Sequence, residues 1–123
     1  MSGAFEIAAE KFGEIDVIVA GAAGNFLAMA KDLKPKGFKT VMDIDAGGVF
    51  NTYNAGFPHL KKPGGCLIAI SAPQAKIPYP AQIHANAAKA AIDQMIRTFA
   101  VEWGPMGIRS LGISPGPIDN TEG

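Results

Sequence analysis

Val17-Ile18-Val19-Ala20-Gly21-Ala22-Ala23-Gly24 is four apolar residues without alternation, three of them β-branched, cut off by glycines and alanines. A continuous run of this kind suits a parallel strand covered on both faces, whereas an alternating run suits a sheet with one wet side. Cys66-Leu67-Ile68-Ala69-Ile70 repeats the pattern, and Ile108-Arg109-Ser110-Leu111-Gly112-Ile113 supplies a third strand closed by Ser114-Pro115-Gly116-Pro117. Phe5, Ala8, Ala9 and Phe12 form a helical stripe before the first strand, with Ser2 as N-cap and Gly13 as the stop. A long helix is expected over residues 36–60, between Pro35 and Pro63-Gly64-Gly65, although Gly37, Gly47, Gly48 and Gly56 weaken it. A second runs over residues 82–103, where Ala88, Ile92, Met95, Phe99 and Trp103 recur at helical spacing until Gly104-Pro105. The proline-containing stretch 71–80 has no helical period and reads as a surface loop.

Strands separated by long helices cannot be hairpins, so they lie parallel through right-handed crossovers, and successive crossovers in one direction put both long helices on one face. The expected class is α/β, a partial Rossmann-like, doubly wound parallel sheet of about three strands in a single domain spanning residues 1–123. Ligands of such sheets bind beyond the carboxyl ends of the strands. Loops 20–26, 71–80 and 114–121 therefore share one rim.

Composition narrows the partners. With 11 Lys+Arg against 11 Asp+Glu and net charge +0, nothing draws the chain to nucleic acid or anionic lipid. No apolar run reaches the roughly 18 residues of a membrane span, and the first residues lack a secretory signal, so the expectation is a soluble, intracellular protein. Cys66, alone of its type, sits inside an apolar run and reads as a buried thiol. His59 and His84 lack metal-ligand spacing, and no metal is expected. Ser71, His84 and Asp45 hint at a hydrolytic triad, but Ser71 has no glycine-flanked nucleophile elbow.

Two residues stand out. Asp45 falls at the centre of the apolar stripe Phe38, Val41, Met42, Val49 and Tyr53, where a carboxylate needs a reason. Either it performs chemistry or it bonds a neighbouring backbone group in a helix weakened by Gly47 and Gly48. Lys89 lies at the margin of the second helix's apolar stripe, and its periodicity alone fits a solvated lysine.

Strand and Ala22-Ala23-Gly24 turn, Asp45 in one helix, Lys89 in the next, and Pro115-Gly116-Pro117 after a strand resemble the short-chain dehydrogenase/reductases. Ala22-Ala23-Gly24-Asn25-Phe26, Val41-Met42-Asp43-Ile44-Asp45, His84-Ala85, the run from Ala100 to Pro105 and Thr121-Glu122-Gly123 are similar to the 2,4-dienoyl-CoA reductases, the peroxisomal type especially. The resemblance covers essentially the whole chain. It has no counterpart for the family's first strand and glycine-rich turn, so half the nucleotide site is missing, and the chain reads as an internal fragment, inactive alone, with Met1 an internal methionine. A real short protein that lost its cofactor site is the rival reading.

The resemblance implies roles. The family's tyrosine, four residues before the lysine, is Ala85 here, and its serine aligns best with Ala72, so a ketone lacks its usual acid. Reduction of a conjugated carbon–carbon bond remains: hydride reaches the far carbon, charge builds on a thioester oxygen, and a water held by a carboxylate protonates carbon. Asp45 stands where most of the superfamily has asparagine and the peroxisomal-type reductases have aspartate. By the same resemblance Lys89 bonds the nicotinamide ribose of NADPH. Gly21, Ala22, Ala23 and Gly24 let the chain pass the adenosine ribose, and Pro115, Gly116, Pro117 and Ile118 approach the nicotinamide carboxamide. Asn25 and Phe26 face an acyl-CoA thioester substrate. Tyr79, in the proline-containing loop, is a candidate for a displaced acid, but it stands ten residues before Lys89 and no motif places it. The helices 36–60 and 82–103 form a homo-oligomer interface to which Phe50, Phe99 and Trp103 contribute, and the location is cytoplasmic, or peroxisomal in a eukaryote. The alternatives are a fragment of another short-chain oxidoreductase, such as a 3-oxoacyl reductase, and a non-enzymatic association module with an unpaired sheet edge and a poorly covered face. The reductase reading requires Asp45 and Lys89 to converge.

Overall fold

The computed structural model describes residues 2–120; Met1 and the Thr121-Glu122-Gly123 motif lie outside the described residues. In chain order the elements are α1 (Ser2–Phe12), β1 (Val17–Ala20), α2 (Pro35–Met42), a π turn (Asp43–Gly47), α3 (Gly48–Gly56), β2 (Cys66–Ile70), α4 (Ile83–Trp103) and β3 (Arg109–Ile113). The strands are parallel in the order β1-β2-β3, which is the α/β class expected. Gly13 takes φ +82° and donates its N–H to the Ala9 carbonyl, ending α1 with the left-handed residue a glycine tolerates best. Ser2 is the first residue of α1 rather than its cap.

Register explains the layers. Ile18 pairs with Leu67 and Leu67 with Ser110; Ala20 pairs with Ala69 and Ala69 with Gly112. These rows face α3 and α4, and Ile18, Leu67, Val49, Tyr53 and Ile92 are the buried centre. Full burial of a side chain such as Ile92 contributes about 1.5–3 kcal/mol. Small residues bring the helix close: a Cβ on Gly112 would stand 2.6 Å from Ile96 Cδ1. At the far end of α4 the rings of Phe99 and Trp103 lie 4.6 Å apart and those of Phe57 and Trp103 4.4 Å, so two of the three aromatics assigned to an oligomer interface also pack within the chain. Phe50 remains half exposed.

Three expectations need correction. β1 is covered on one face only: Ile18 and Ala20 are buried, while Val17 and Val19 are 49% and 58% exposed. Both long crossovers lie over the other face, so the face that carries Val19, Leu111 and Ile113 has no covering layer among the described residues. The helix expected over 36–60 starts at Pro35, is interrupted by the π turn and ends at Gly56, followed by a 3₁₀ turn at Phe57–His59. The loop 71–80 is not simply surface: Ser71 is buried and Pro73–Ala75 forms a 3₁₀ turn packed on α4.

The π turn follows from spacing. Val41, Asp45, Val49 and Tyr53 recur at intervals of four, and on a plain α-helix each such step drifts by about 40°. A turn closed by i→i+5 bonds takes up an extra residue and cancels drift. All four side chains are consequently buried.

Candidate functional site

The loops after β1, β2 and β3 surround a cavity of about 440 Å³, within the ~300–1,000 Å³ usual for small-molecule sites. Asp45 reaches it from the π turn and Lys89 from α4. Two residues 44 positions apart in the sequence thus share one cavity.

Asp45 is 1% exposed and accepts the backbone N–H of Gly24 at 2.8 Å. That bond ties the β1 loop to the π turn, so Asp45 does bond a backbone group, one 21 residues away rather than a neighbour. Burial pushes its carboxyl above the ordinary value, and the Gly24 N–H, the Lys89 ammonium and His84 pull in the other direction without overcoming it. Lys89 is half buried, and its Nζ donates to the Ile70 carbonyl at 3.1 Å, the last residue of β2. An ammonium has three donors, and the other two have no partner among the described residues.

The other sequence-assigned residues divide. Ala23, Gly24 and Asn25 line the cavity, as do Pro115, Gly116, Pro117 and Ile118. Gly21 and Ala22 do not; a Cβ on Gly21 would sit 3.3 Å from Ile70 Cγ1, so this turn packs on β2 instead. Phe26 is also outside the lining. Its ring turns to the His84 imidazole at 4.5 Å, and its carbonyl accepts from His84 Nε2 at 2.7 Å. A carbonyl only accepts, so Nε2 carries the proton and Nδ1, buried, has no partner among the described residues. His84 is thus bonded to backbone, and among the described residues no group of three or more His, Cys, Asp or Glu side chains gathers that could hold a metal ion. The hydrolytic triad is not assembled either, since Ser71 Oγ donates to Asp93 at 2.5 Å.

Ala72 and Ala85, the positions that the resemblance aligns with a serine and a tyrosine, both line the cavity. So do Tyr79, Gln74 and Gln82. No periodicity marks the two glutamines in the sequence; their signal is that Gln74 lies in a rim loop and Gln82 directly precedes a helix.

A nicotinamide nucleotide entering here would meet the two Lys89 donors without a partner among the described residues and the backbone of residues 115–117, both on the wall of one cavity. They suit a ribose and a carboxamide. Residues 1–123 match the family described as enoyl-(acyl carrier protein) reductase. Over 114 residues the chain is 52% identical to peroxisomal 2,4-dienoyl-CoA reductase of Saccharomyces cerevisiae, covering 93% of this chain and 39% of that protein. A short chain dehydrogenase from Bacillus anthracis superposes with a TM-score of 0.91 at 39% identity, over 98% of this chain and 50% of that one. A gluconate 5-dehydrogenase from Burkholderia cenocepacia, solved in complex with NADP and tartrate, gives 0.88 at 25% identity over 94% and 46%. The chain spans about two fifths of the length of the curated relatives it matches. Its match to the family from first residue to last, on a shared parallel-sheet fold, shows that the chain belongs to the short-chain dehydrogenase/reductase family.

Proposed function

We propose that the chain is the catalytic segment of a 2,4-dienoyl-CoA reductase that uses NADPH to reduce a carbon–carbon double bond of an acyl-CoA thioester. One observation carries the reading: a buried carboxyl, Asp45, shares a cavity with Lys89 where the usual tyrosine position is an alanine. The nicotinamide supplies the hydride when bound. Lys89 holds its ribose through the two donors left over from Ile70. The backbone of 115–118 orients the ring, and Asn25 faces the thioester. Asp45, with its pKa raised by burial, keeps a proton to higher pH than an exposed carboxyl and delivers it to carbon through a held water as the enolate collapses. A ketone finds no hydroxyl at Ala85 or Ala72, the positions from which its usual acid would come, which argues against a 3-oxoacyl reductase.

The 123 residues contain no glycine-rich turn at the start of the fold, so the chain by itself is proposed not to turn over. The assembled enzyme is proposed to be peroxisomal and to associate through α3 and α4, where Phe50, Ala91, Met95 and Phe99 line an apolar groove. The test joins the chain to a glycine-rich cofactor-binding segment and measures dienoyl-CoA-dependent oxidation of NADPH. Asp45→Ala is expected to lower turnover by about 10²–10⁴-fold. Undiminished turnover removes Asp45 from the mechanism. Micromolar NADPH binding by the isolated chain in calorimetry overturns the claim that it lacks part of the site.

A further inference from the structure

The mouth of the cavity carries apolar side chains on its outer surface. Leu27 is 73% exposed, and Met29, Ile77 and Ile83 are each about half exposed. One such residue in water needs no explanation, but a contiguous patch of them marks an interaction surface. Contacts between their segments make these contiguous. The Ala28 N–H donates to the Ala81 carbonyl at 3.0 Å, which sets Leu27 and Met29 beside the residues that lead into Ile83. A cluster of side-chain amides draws in the loop after β2: Asn25 Nδ2 and Gln74 Nε2 donate to Gln82 Oε1 at 3.0 and 3.2 Å, and Asn86 Nδ2 donates to the Tyr79 carbonyl at 2.9 Å.

Lysines flank this patch. Residues 26–39 and 74–83 hold Lys31, Lys34, Lys36, Lys39 and Lys76 against Asp32 alone, a local excess that the overall net charge of +0 conceals. Asp119 on the third rim loop offsets one of them. Asp32 pairs with Lys31 and Asp43 with Lys39, which leaves Lys34, Lys36 and Lys76 exposed and without an ion pair among the described residues. Their backbone keeps them at the mouth. The Asp32 and Leu33 N–H groups both donate to the Met29 carbonyl at 2.9 Å, a turn that holds the segment of Lys31 and Lys34 beside Met29. A Cβ on Gly37 would stand 3.0 Å from Phe26 Cζ, so the first turn of α2, with Lys36, packs on the same loop. Lys76 adjoins Ile77. The open face of the sheet is apolar too, but its strands contain no lysine.

Exposed apolar side chains among ammonium groups are complementary to a bilayer surface with anionic headgroups. There the apolar side chains enter the boundary between headgroups and acyl chains, while the lysines meet the phosphates around them. A purely apolar partner would leave the lysines unanswered, and a free anion would leave the apolar side chains in water. We infer that the rim loops after β1 and β2 dock the cavity mouth on an anionic lipid surface. No helix among the described residues is long and apolar enough to cross a membrane, so the contact is peripheral. The inference goes beyond the proposed reductase and depends on none of its chemistry, although it would give that chemistry a use. An acyl chain partitions into lipid, and a cavity opening onto the bilayer receives it without a passage through water.

The test is flotation of the chain with vesicles on a density gradient, which separates lipid binding from self-association because protein aggregates do not float. Vesicles of phosphatidylcholine mixed with phosphatidylglycerol are expected to carry the chain upward, pure phosphatidylcholine to bind it at least about tenfold less, and raised salt to release it. A lysine near such a surface is worth about fivefold in affinity, so Lys34→Gln with Lys36→Gln should weaken binding by about 25-fold. Leu27→Ser with Met29→Ser should weaken it by a comparable factor. All four residues are exposed, so the fold should survive, which circular dichroism checks. Val19→Ser with Ile113→Ser, on the open sheet face, should leave flotation unchanged. Absence of flotation, equal flotation with both lipids, undiminished binding by the two rim variants, or a loss that follows the sheet-face variant instead overturns the inference. None of these readouts passes through Asp45, Lys89 or a nicotinamide. Failed flotation therefore leaves the reductase reading standing, and undiminished turnover in Asp45→Ala leaves the lipid contact standing.

Discussion

Replacing Asp45 by asparagine separates its two jobs, because asparagine keeps an oxygen for the Gly24 N–H, 2.8 Å away, and cannot ionise. Burial raises the folded-state pKa of Asp45 above 3.8, so the folded chain holds this proton more tightly than the unfolded chain does. The contribution to stability is therefore fully present below pH 3.8 and is lost as pH rises through the folded pKa. Asp45→Asn has no such loss. The difference in unfolding free energy, Asp45→Asn minus the unsubstituted chain, should climb with pH above 3.8 and then level off, other carboxylates cancelling in the subtraction. Its steepest slope is bounded by one proton, about 1.4 kcal/mol per pH unit. Urea unfolding followed by circular dichroism from pH 3 to 8 measures it. Asp45→Ala, which abandons the Gly24 N–H, should lie below Asp45→Asn at every pH by about 1–3 kcal/mol. A difference independent of pH, or one that falls as pH rises, would refute the view that desolvation dominates at this carboxyl. In the assembled enzyme Asp45→Asn should fold normally yet lose turnover by about 10²–10⁴-fold.

Gly107 combines φ +80° with a position where a Cβ would stand 2.4 Å from Pro63 Cβ and 2.9 Å from its Cα, so Gly107→Ala should cost about 2–4 kcal/mol in urea unfolding. Tyr53 is fully buried, and its hydroxyl has no partner among the described residues; Tyr53→Phe should be neutral or stabilising by up to about 1 kcal/mol, and a loss larger than that would show that the hydroxyl is bonded. The half-exposed apolar sheet face carrying Val19 and Ile113 should drive self-association of the isolated chain, so Val19→Lys with Ile113→Lys should shift sedimentation toward the monomer without changing the circular dichroism spectrum.

Much of the site was legible in residue types and spacing. A carboxylate amid Val41, Val49 and Tyr53 could only be buried, and the Pro115-Gly116-Pro117 turn could only follow a strand onto the rim where such sheets bind ligands. Lys89 was harder. Its periodicity favoured solvent, and the deciding contact is with the Ile70 carbonyl, 19 residues away. The position of Phe26 was not legible, because a loop side chain takes whichever partner the fold brings to it, here the His84 ring, 58 positions on. The amide cluster was invisible for the same reason: Asn25 and Gln82 lie 57 positions apart.

Strand number, parallel direction and the common face of the crossovers were determined by the sequence itself, because apolar runs, helical periods and breakers act over a few residues and handedness constrains their assembly. Which face of β1 stayed open, how the π turn rotated Asp45 onto Gly24, and which side chains met in the cavity were decided only by tertiary structure. Such contacts depend on where whole elements come to rest, and a local pattern records only what lies within its own few turns of chain.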